Sequence, residues 1–340
     1  MSTTDSANKT PSHSTDTSRA HGESGVRRPY VLEQYERLWE GVYEKAKGLL
    51  ESGERDLSRL HLLMRRNFGQ EFSDPHLAQK YRDHERQKVK KGFIYDKQII
   101  QVSDADSKVI TLMTDAVKMR EAIDAFGPGV ERVVETGSGW GKTLFNIWLY
   151  GGPGKADYFA LELTNAGRRT AELIAKESTA DIKLQTRLFD YYDADFSFFA
   201  DERKTCFVTH HSIEQIPEIS TNYIDEILAV PGFHRCVHIE PIGWQIPANN
   251  WLIGKDVSNK IKEINDVNRR FSEKRNQNHN LYPILREYEK QGKVRIYICR
   301  KYLCSHLIDN ATSLIVWGKG DGVISDEELV NSRRDDLLPN

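Results

Sequence analysis

Val133-Val134-Glu135-Thr136-Gly137-Ser138-Gly139-Trp140-Gly141 is the stretch on which the reading of this chain turns. Two β-branched residues run into a carboxylate, three glycines follow at alternating positions, and an apolar helical pattern comes next. A glycine has no Cβ, so a nucleoside ligand can approach such a strand–turn–helix closely. Which ligand it takes depends on the residues downstream.

Working outward toward the C-terminus, strands and helices alternate. Candidate strands are Arg132–Glu135, Tyr158–Glu162, Ile182–Phe189, Cys206–Thr209, Cys236–Glu240, Val294–Cys299 and Ser313–Trp317. Lys142–Tyr150 and Ala166–Lys176 read as helices between them. The alternation predicts an α/β fold with a doubly wound, mostly parallel seven-stranded sheet. Only Lys301–Thr312 joins the last two strands, too little for a helical crossover, so the last strand is predicted antiparallel.

Toward the N-terminus, residues 30–127 read as a helical segment that caps the cleft or forms a homodimer contact. Leu32, Tyr35, Trp39, Val42, Ala46 and Leu49 fall on one helical face. Leu60, Leu63 and Met64 begin a second stripe. Val109, Leu112, Met113, Ala116 and Val117 begin a third, ended by Gly127-Pro128-Gly129. The charge-dense run Lys80–Lys91 reads as a solvated face, with a phosphate-contacting surface as the alternative. Residues 1–29 are too polar to offset their ordering entropy and read as a disordered tail. The sheet domain is expected at 128–325, with an insertion at about 243–280 and a C-terminal tail at 326–340.

In open α/β sheets ligands bind beyond the carboxyl ends of the strands. Those ends carry Glu135 with the glycine turn, then Glu162, then Phe189-Asp190, then His210-His211. A carboxylate at Glu162 can accept both hydroxyls of a ribose, and Phe189 with Asp190 suits an adenine. With E-T-G-S-G-W-G, F-A-L-E-L, R-L-F-D, F-V-T-H-H-S-I-E-Q-I and V-H-I-E-P-I-G-W in this order, closed by R-I-Y-I-C and S-L-I-V-W, residues 125–320 resemble the Rossmann-like class I S-adenosylmethionine-dependent methyltransferases. The resemblance implies S-adenosylmethionine as cofactor. It implies that Gly137 and Gly139, with Ser138 between them, make room for the methionine part, and that Glu135 sits near its amino group through water or a backbone contact. Glu162 would hold the ribose and Asp190 would meet the adenine amino group, with His210 also close to the cofactor.

Two rival ligands fit less well. Gly141-Lys142-Thr143 ends like a phosphate-binding loop, yet Thr136 stands where that loop opens on glycine. A nucleotide-dependent enzyme of that type remains the alternative, as does a non-catalytic binding module on the same fold. A dinucleotide site needs G-x-G-x-x-G, and here the third glycine comes two positions after the second.

Methyl transfer needs an aligned acceptor and, for a hydroxyl or ammonium, a base. The candidates are His210, His211, Glu214 and Glu240. Histidine titrates near neutrality, and on a helical turn Glu214 would share a face with His211. For Glu240 a loop-anchoring hydrogen bond competes with an acceptor role, and His238 on the same strand face reads equally as a satisfied core residue. Asn276 to Asn280 read first as a helix start. No spacing of these histidines and carboxylates matches a recognised metal motif, so no metal is expected. The acceptor is expected to be a small polar metabolite methylated on oxygen or nitrogen, with neither nucleic acid nor membrane as partner.

Composition agrees with these bounds. Across 340 residues the formal net charge is -2, which creates no field to draw the whole protein to nucleic acid. Hydrophobic residues make up 39%, enough for a sizeable core. The four cysteines, Cys206, Cys236, Cys299 and Cys304, form no C-x-x-C pair and read as buried thiols, which suits a cytoplasmic protein. No long apolar segment and no hydrophobic signal core is present.

Overall fold

Strands buried on both faces build the core of this protein. A computed structural model describes residues 29–65, 92–95, 98–101, 104–247, 255–305 and 310–321. Strands β1 (Gly92–Tyr95), β2 (Gln98–Gln101), β3 (Arg132–Thr136), β4 (Asp157–Glu162), β5 (Leu184–Leu188), β6 (Thr205–His210), β7 (Phe233–Glu240), β8 (Val294–Ser305) and β9 (Thr312–Lys319) form one sheet in the order β2-β1-β8-β9-β7-β6-β3-β4-β5. The helices are α1 (Pro29–Glu51), α2 (Leu57–Arg65), α3 (Asp104–Phe126), α4 (Lys142–Leu149), α5 (Asn165–Glu177), α6 (Thr221–Ala229), α7 (Lys255–Arg275) and α8 (Leu281–Lys290). Val133, Tyr158, Ala160, Cys206 and Val208 face a layer made by α1 to α5. Their neighbours Val134, Phe159, Leu161 and Phe207 face the opposite layer, with α6 and α8. Alternate side chains of one strand point to opposite faces, so these strands are apolar on both.

The seven expected strands are all present. β3 to β7 pair in parallel, and β9 runs antiparallel between β7 and β8. The chain runs outward through β3, β4 and β5, then returns to place β6 on the other side of β3. That reversal is the switch point at which an open sheet leaves a crevice.

Three expectations need correction. The segment 30–127 is not wholly helical, because β1 and β2 form a hairpin that extends the sheet to nine strands. Four residues per strand are too few to show a period, and the partner of β1 is remote: Ile94 pairs with Ser305 and Tyr95 with Cys304. β8 consequently runs well past Cys299, through a register shift between Arg300 and Cys304. In α3 the buried face is Asp115, Lys118, Met119, Ala122 and Phe126, while Leu112 and Met113 are exposed. The apolar stripe misled because part of the buried face is charged. The expected tails lie outside the described residues except for Pro29, which begins α1, as do Lys80–Lys91 and residues 248–254 of the expected insertion. Among the described residues no helix is long and apolar enough to cross a membrane.

Candidate active site

The glycine turn sits at the switch point. Gly137, Gly139 and Gly141 have φ of +68°, +54° and +79°, a region costly for any residue with a Cβ. The turn hangs on the neighbouring strand, with Gly137 and Ser138 donating backbone N–H groups to the Leu161 carbonyl at 2.8 and 3.1 Å. A Cβ on Gly137 would meet Ser212 Cβ at 2.7 Å, and one on Gly139 would meet Trp39 Cζ2 at 2.9 Å. The turn is thus pressed between the loop after β6 and helix α1.

Glu162 fixes the turn from the end of β4. Its carboxylate accepts the Gly139 N–H at 2.8 Å, the Thr164 N–H at 2.9 Å and the Thr164 hydroxyl at 2.7 Å. A carboxylate offers about four lone-pair sites. Three are taken, so Glu162 has room for one further sugar hydroxyl rather than two unless a contact yields.

A cleft opens over this turn, with a volume of about 950 Å³ including its open mouth. Gly137, Gly139, Glu162, Phe189, Asp190 and His211 meet on its wall. Phe189 is stacked on Phe196 at 5.5 Å between ring centroids. Asp190 accepts the Tyr192 N–H at 3.0 Å and so shapes the short turn Tyr191–Asp193. Leu32, Tyr35 and Trp39 of α1 form another part of the wall, together with Tyr191 and Ser212. The α1 stripe was legible as amphipathic, but nothing local in it named its partner. Tyr191 carried no signal; its hydroxyl donates to the Thr136 carbonyl at 2.7 Å and ties the turn to Ser212 Oγ at 2.9 Å.

Ser138, Glu135, His210, Glu214 and Glu240 are off this wall. Glu135 is buried beneath the start of α4, where burial pushes its carboxyl well above the usual range despite a hydrogen bond with Thr143. Ser138 is buried in the turn. His210 contacts Thr143 Oγ1 through Nδ1 at 3.2 Å, and burial, then Lys118, His211 and Lys142, hold it well below its ordinary pKa. It is therefore kept neutral.

Glu240 has an anchoring position. It is fully buried, and its carboxylate accepts the backbone N–H groups of Ser212, Ile213 and Glu214 at 3.1, 3.3 and 3.3 Å. Burial, then the nearby Glu214, pushes its pKa from 4.5 up to about 8. Three consecutive N–H groups converging on one carboxylate force a sharp bend after β6. At the bend His211 takes φ 54°, a left-handed conformation that histidine visits more readily than bulkier residues. The bend turns His211 into the cleft and leaves His210 behind the glycine turn.

His211 is held from both ends. Nδ1 lies 3.4 Å from Glu214 Oε2 and Nε2 lies 2.9 Å from Thr312 Oγ1. Burial would raise the Glu214 carboxyl, but His211, Asn310 and Gln215 together hold it below its ordinary value. An ionised Glu214 beside Nδ1 favours the tautomer with the proton there, so that Nε2 accepts from the Thr312 hydroxyl. His238 is a core residue with both nitrogens satisfied, by Thr209 Oγ1 at 2.9 Å and by the Trp317 indole N–H at 2.9 Å. In the polar run, Asn280 is the N-cap of α8 without a side-chain cap bond, and Asn278 Oδ1 from just before it accepts the Leu281 N–H at 2.9 Å.

Lys142 is held by an ion pair at the start of α4. Its ammonium lies 3.1 Å from Asp115, which also pairs with Arg65 at 2.8 Å. Burial alone would push Asp115 up, but Lys142, Lys118 and Arg65 hold it well below the carboxylate range. A lysine committed to Asp115 is not directed at a phosphate, which weakens the nucleotide-loop alternative.

No protein-family model and no curated protein matches the chain. Solved structures do resemble it at low identity. The crystal structure of EvdMO1 matches at TM-score 0.36 and 14% identity over 71% of this chain, which spans about half of that one (47%). A methyltransferase from Podospora anserina, PaMTH1, bound to SAH, matches at TM-score 0.41 and 9% identity over 73% of this chain and 97% of its own. A SAM-dependent methyltransferase from Aquifex aeolicus matches at TM-score 0.36 and 9% identity over 62% and 98%. Likenesses of this size carry no weight beside the strand order and the cleft.

Proposed function

We propose that this protein transfers a methyl group from S-adenosylmethionine to an oxygen or nitrogen of a small polar metabolite. The observation that carries the reading is the meeting of Gly137, Gly139, Glu162, Phe189, Asp190 and His211 on one cleft at the switch point. The donor set suits an adenosyl group. Glu162 retains an accepting site for a sugar hydroxyl, Asp190 and Phe189 offer a carboxylate beside an aromatic, and Leu32, Tyr35 and Trp39 supply apolar cover. When bound, the cofactor supplies a methyl carbon on a cationic sulfur.

The chain's own part is positioning and proton removal. His211 takes the acceptor's proton at Nε2 once the acceptor displaces the Thr312 hydroxyl from it, Glu214 stabilises the resulting imidazolium through Nδ1, and Glu240 holds the bend that aims the ring. Helix α1 lies over the cleft and limits water there. Titration calorimetry with S-adenosylmethionine tests the reading: saturable heat is expected, and a folded protein that gives none removes it. A screen for metabolites that gain one methyl mass then identifies the acceptor.

A further inference from the structure

We propose that Thr164 is a specificity-determining residue: it fills one oxygen of Glu162, so that the cleft holds the cofactor's sugar there through a single hydroxyl and tolerates loss of the other. The proposal rests on the methyl-transfer reading. Gly139, Glu162 and Thr164 all line the cleft. Glu162 Oε1 accepts both the N–H and the hydroxyl of Thr164, at 2.9 and 2.7 Å. Oε2 accepts the Gly139 N–H at 2.8 Å. A carboxylate oxygen has two lone-pair sites, so Oε1 is filled and one site is left, on Oε2.

Two features of the fold keep the Thr164 hydroxyl in that place. Thr164 is the N-cap of α5, where a threonine hydroxyl ordinarily accepts from the second or third N–H of the helix. Here the hydroxyl makes no cap bond, because Glu36 accepts the Asn165 and Ala166 N–H groups in its stead. Gly167 supplies the room. A Cβ on it would meet Thr164 Oγ1 at 2.7 Å, the Gly139 carbonyl oxygen at 2.8 Å and Glu162 Cγ at 2.9 Å, so any side chain there would force the three to shift. Thr164 is itself 1% exposed. A sugar hydroxyl that pushed it off Oε1 would leave a buried hydroxyl away from water, and a buried hydrogen bond left unmade is costly. The sugar therefore meets Oε2 alone, and the hydroxyl that reaches this oxygen carries the recognition.

The test is titration calorimetry on the full chain with S-adenosylhomocysteine and its 2′-deoxy and 3′-deoxy forms. In the wild type one deoxy form should bind about 10- to 100-fold more weakly than the parent and the other within about threefold of it, since only one hydroxyl meets the charged acceptor. Thr164→Ala removes the hydroxyl and its bulk, keeps the backbone N–H and the Glu36 cap, and opens a second accepting site on Oε1. In this variant both deoxy forms should bind about tenfold or more weaker than the parent. Thr164→Ser keeps the hydroxyl and should keep the wild-type pattern. The proposal is overturned if the wild type loses affinity alike for both deoxy forms or for neither, if Thr164→Ala keeps the wild-type pattern, or if Thr164→Ser loses it. The wild-type comparison decides by itself, whether or not a variant folds. The parent ligand separates the two readings. Parent binding with the wrong pattern among the deoxy forms sinks only the role of Thr164, whereas a folded wild type that binds none of the three ligands sinks methyl transfer.

Discussion

Two carboxylates at strand ends, Glu162 and Glu240, have different tasks, set by what surrounds each. Glu162 faces the cleft and braces the Gly139 N–H. Hydrogen bonds to a charged group contribute about 1.5–3 kcal/mol, so Glu162→Ala should weaken S-adenosylmethionine binding about 10- to 100-fold. Calorimetry on a variant of native circular dichroism checks this, and unchanged affinity would remove Glu162 from the site. Glu240 titrates from 4.5 to about 8 on folding, so the folded chain keeps a proton there that the unfolded chain has lost. Its contribution to stability is full below about pH 4.5 and is lost as pH rises through about 8. Glu240→Gln is neutral at every pH. The wild type should therefore lose stability relative to this variant between pH 5 and 8.5 in urea titrations, and a flat difference would mean that the three N–H groups keep Glu240 ionised. His211 touches the cleft, and as general base it should be worth about 10²–10⁴ in kcat. His211→Ala should keep cofactor affinity and lose turnover by that factor, and native turnover would clear it.

At the scale of elements, α1 is joined to the cofactor side by a borrowed cap. Thr164 precedes α5, but its hydroxyl is given to Glu162, leaving the first N–H groups of α5 without it. Glu36 of α1 serves instead, accepting the Asn165 and Ala166 N–H groups at 2.9 and 2.8 Å. The Arg169 guanidinium sits 4.1 Å over the Tyr43 ring and secures the same contact. Loss of an N-cap costs about 1 kcal/mol. Glu36→Ala should lower stability by about that amount, speed proteolysis within α1 and weaken cofactor binding through the loosened Leu32, Tyr35 and Trp39 wall. Unchanged proteolysis would show that α1 is held by its apolar face alone. The stripe from Leu32 to Leu49 was readable because a helix repeats its apolar face locally. The face of α3 was not, because Asp115 and Lys118 are buried by partners far away in sequence.

At the scale of the molecule, β9 holds the two layers in register by lying between β7 and β8. Trp317 on β9 is fully buried, packs on Phe233 at 5.2 Å and donates to His238. Trp317→Ala removes that packing, at about 3–5 kcal/mol. It also strips His238 of a donor, adding about 1–3 kcal/mol. Trp317→Phe should recover most of the first loss and none of the second. Urea midpoints measure both, and equal effects of the two substitutions would mean that the His238 contact contributes nothing.

The sequence alone determined the seven strands β3 to β9, the antiparallel β9, the glycine turn and the identities at the strand ends, because strand composition, turn chemistry and connection length are local properties. It did not determine which of His210 and His211 enters the cleft. That choice depends on a bend made by Glu240, 28 positions after Ser212. Nor did it show that α1 closes the wall or that β1 pairs with the end of β8. Each of these depends on desolvation and on partners remote in sequence, and only the folded chain brings them together.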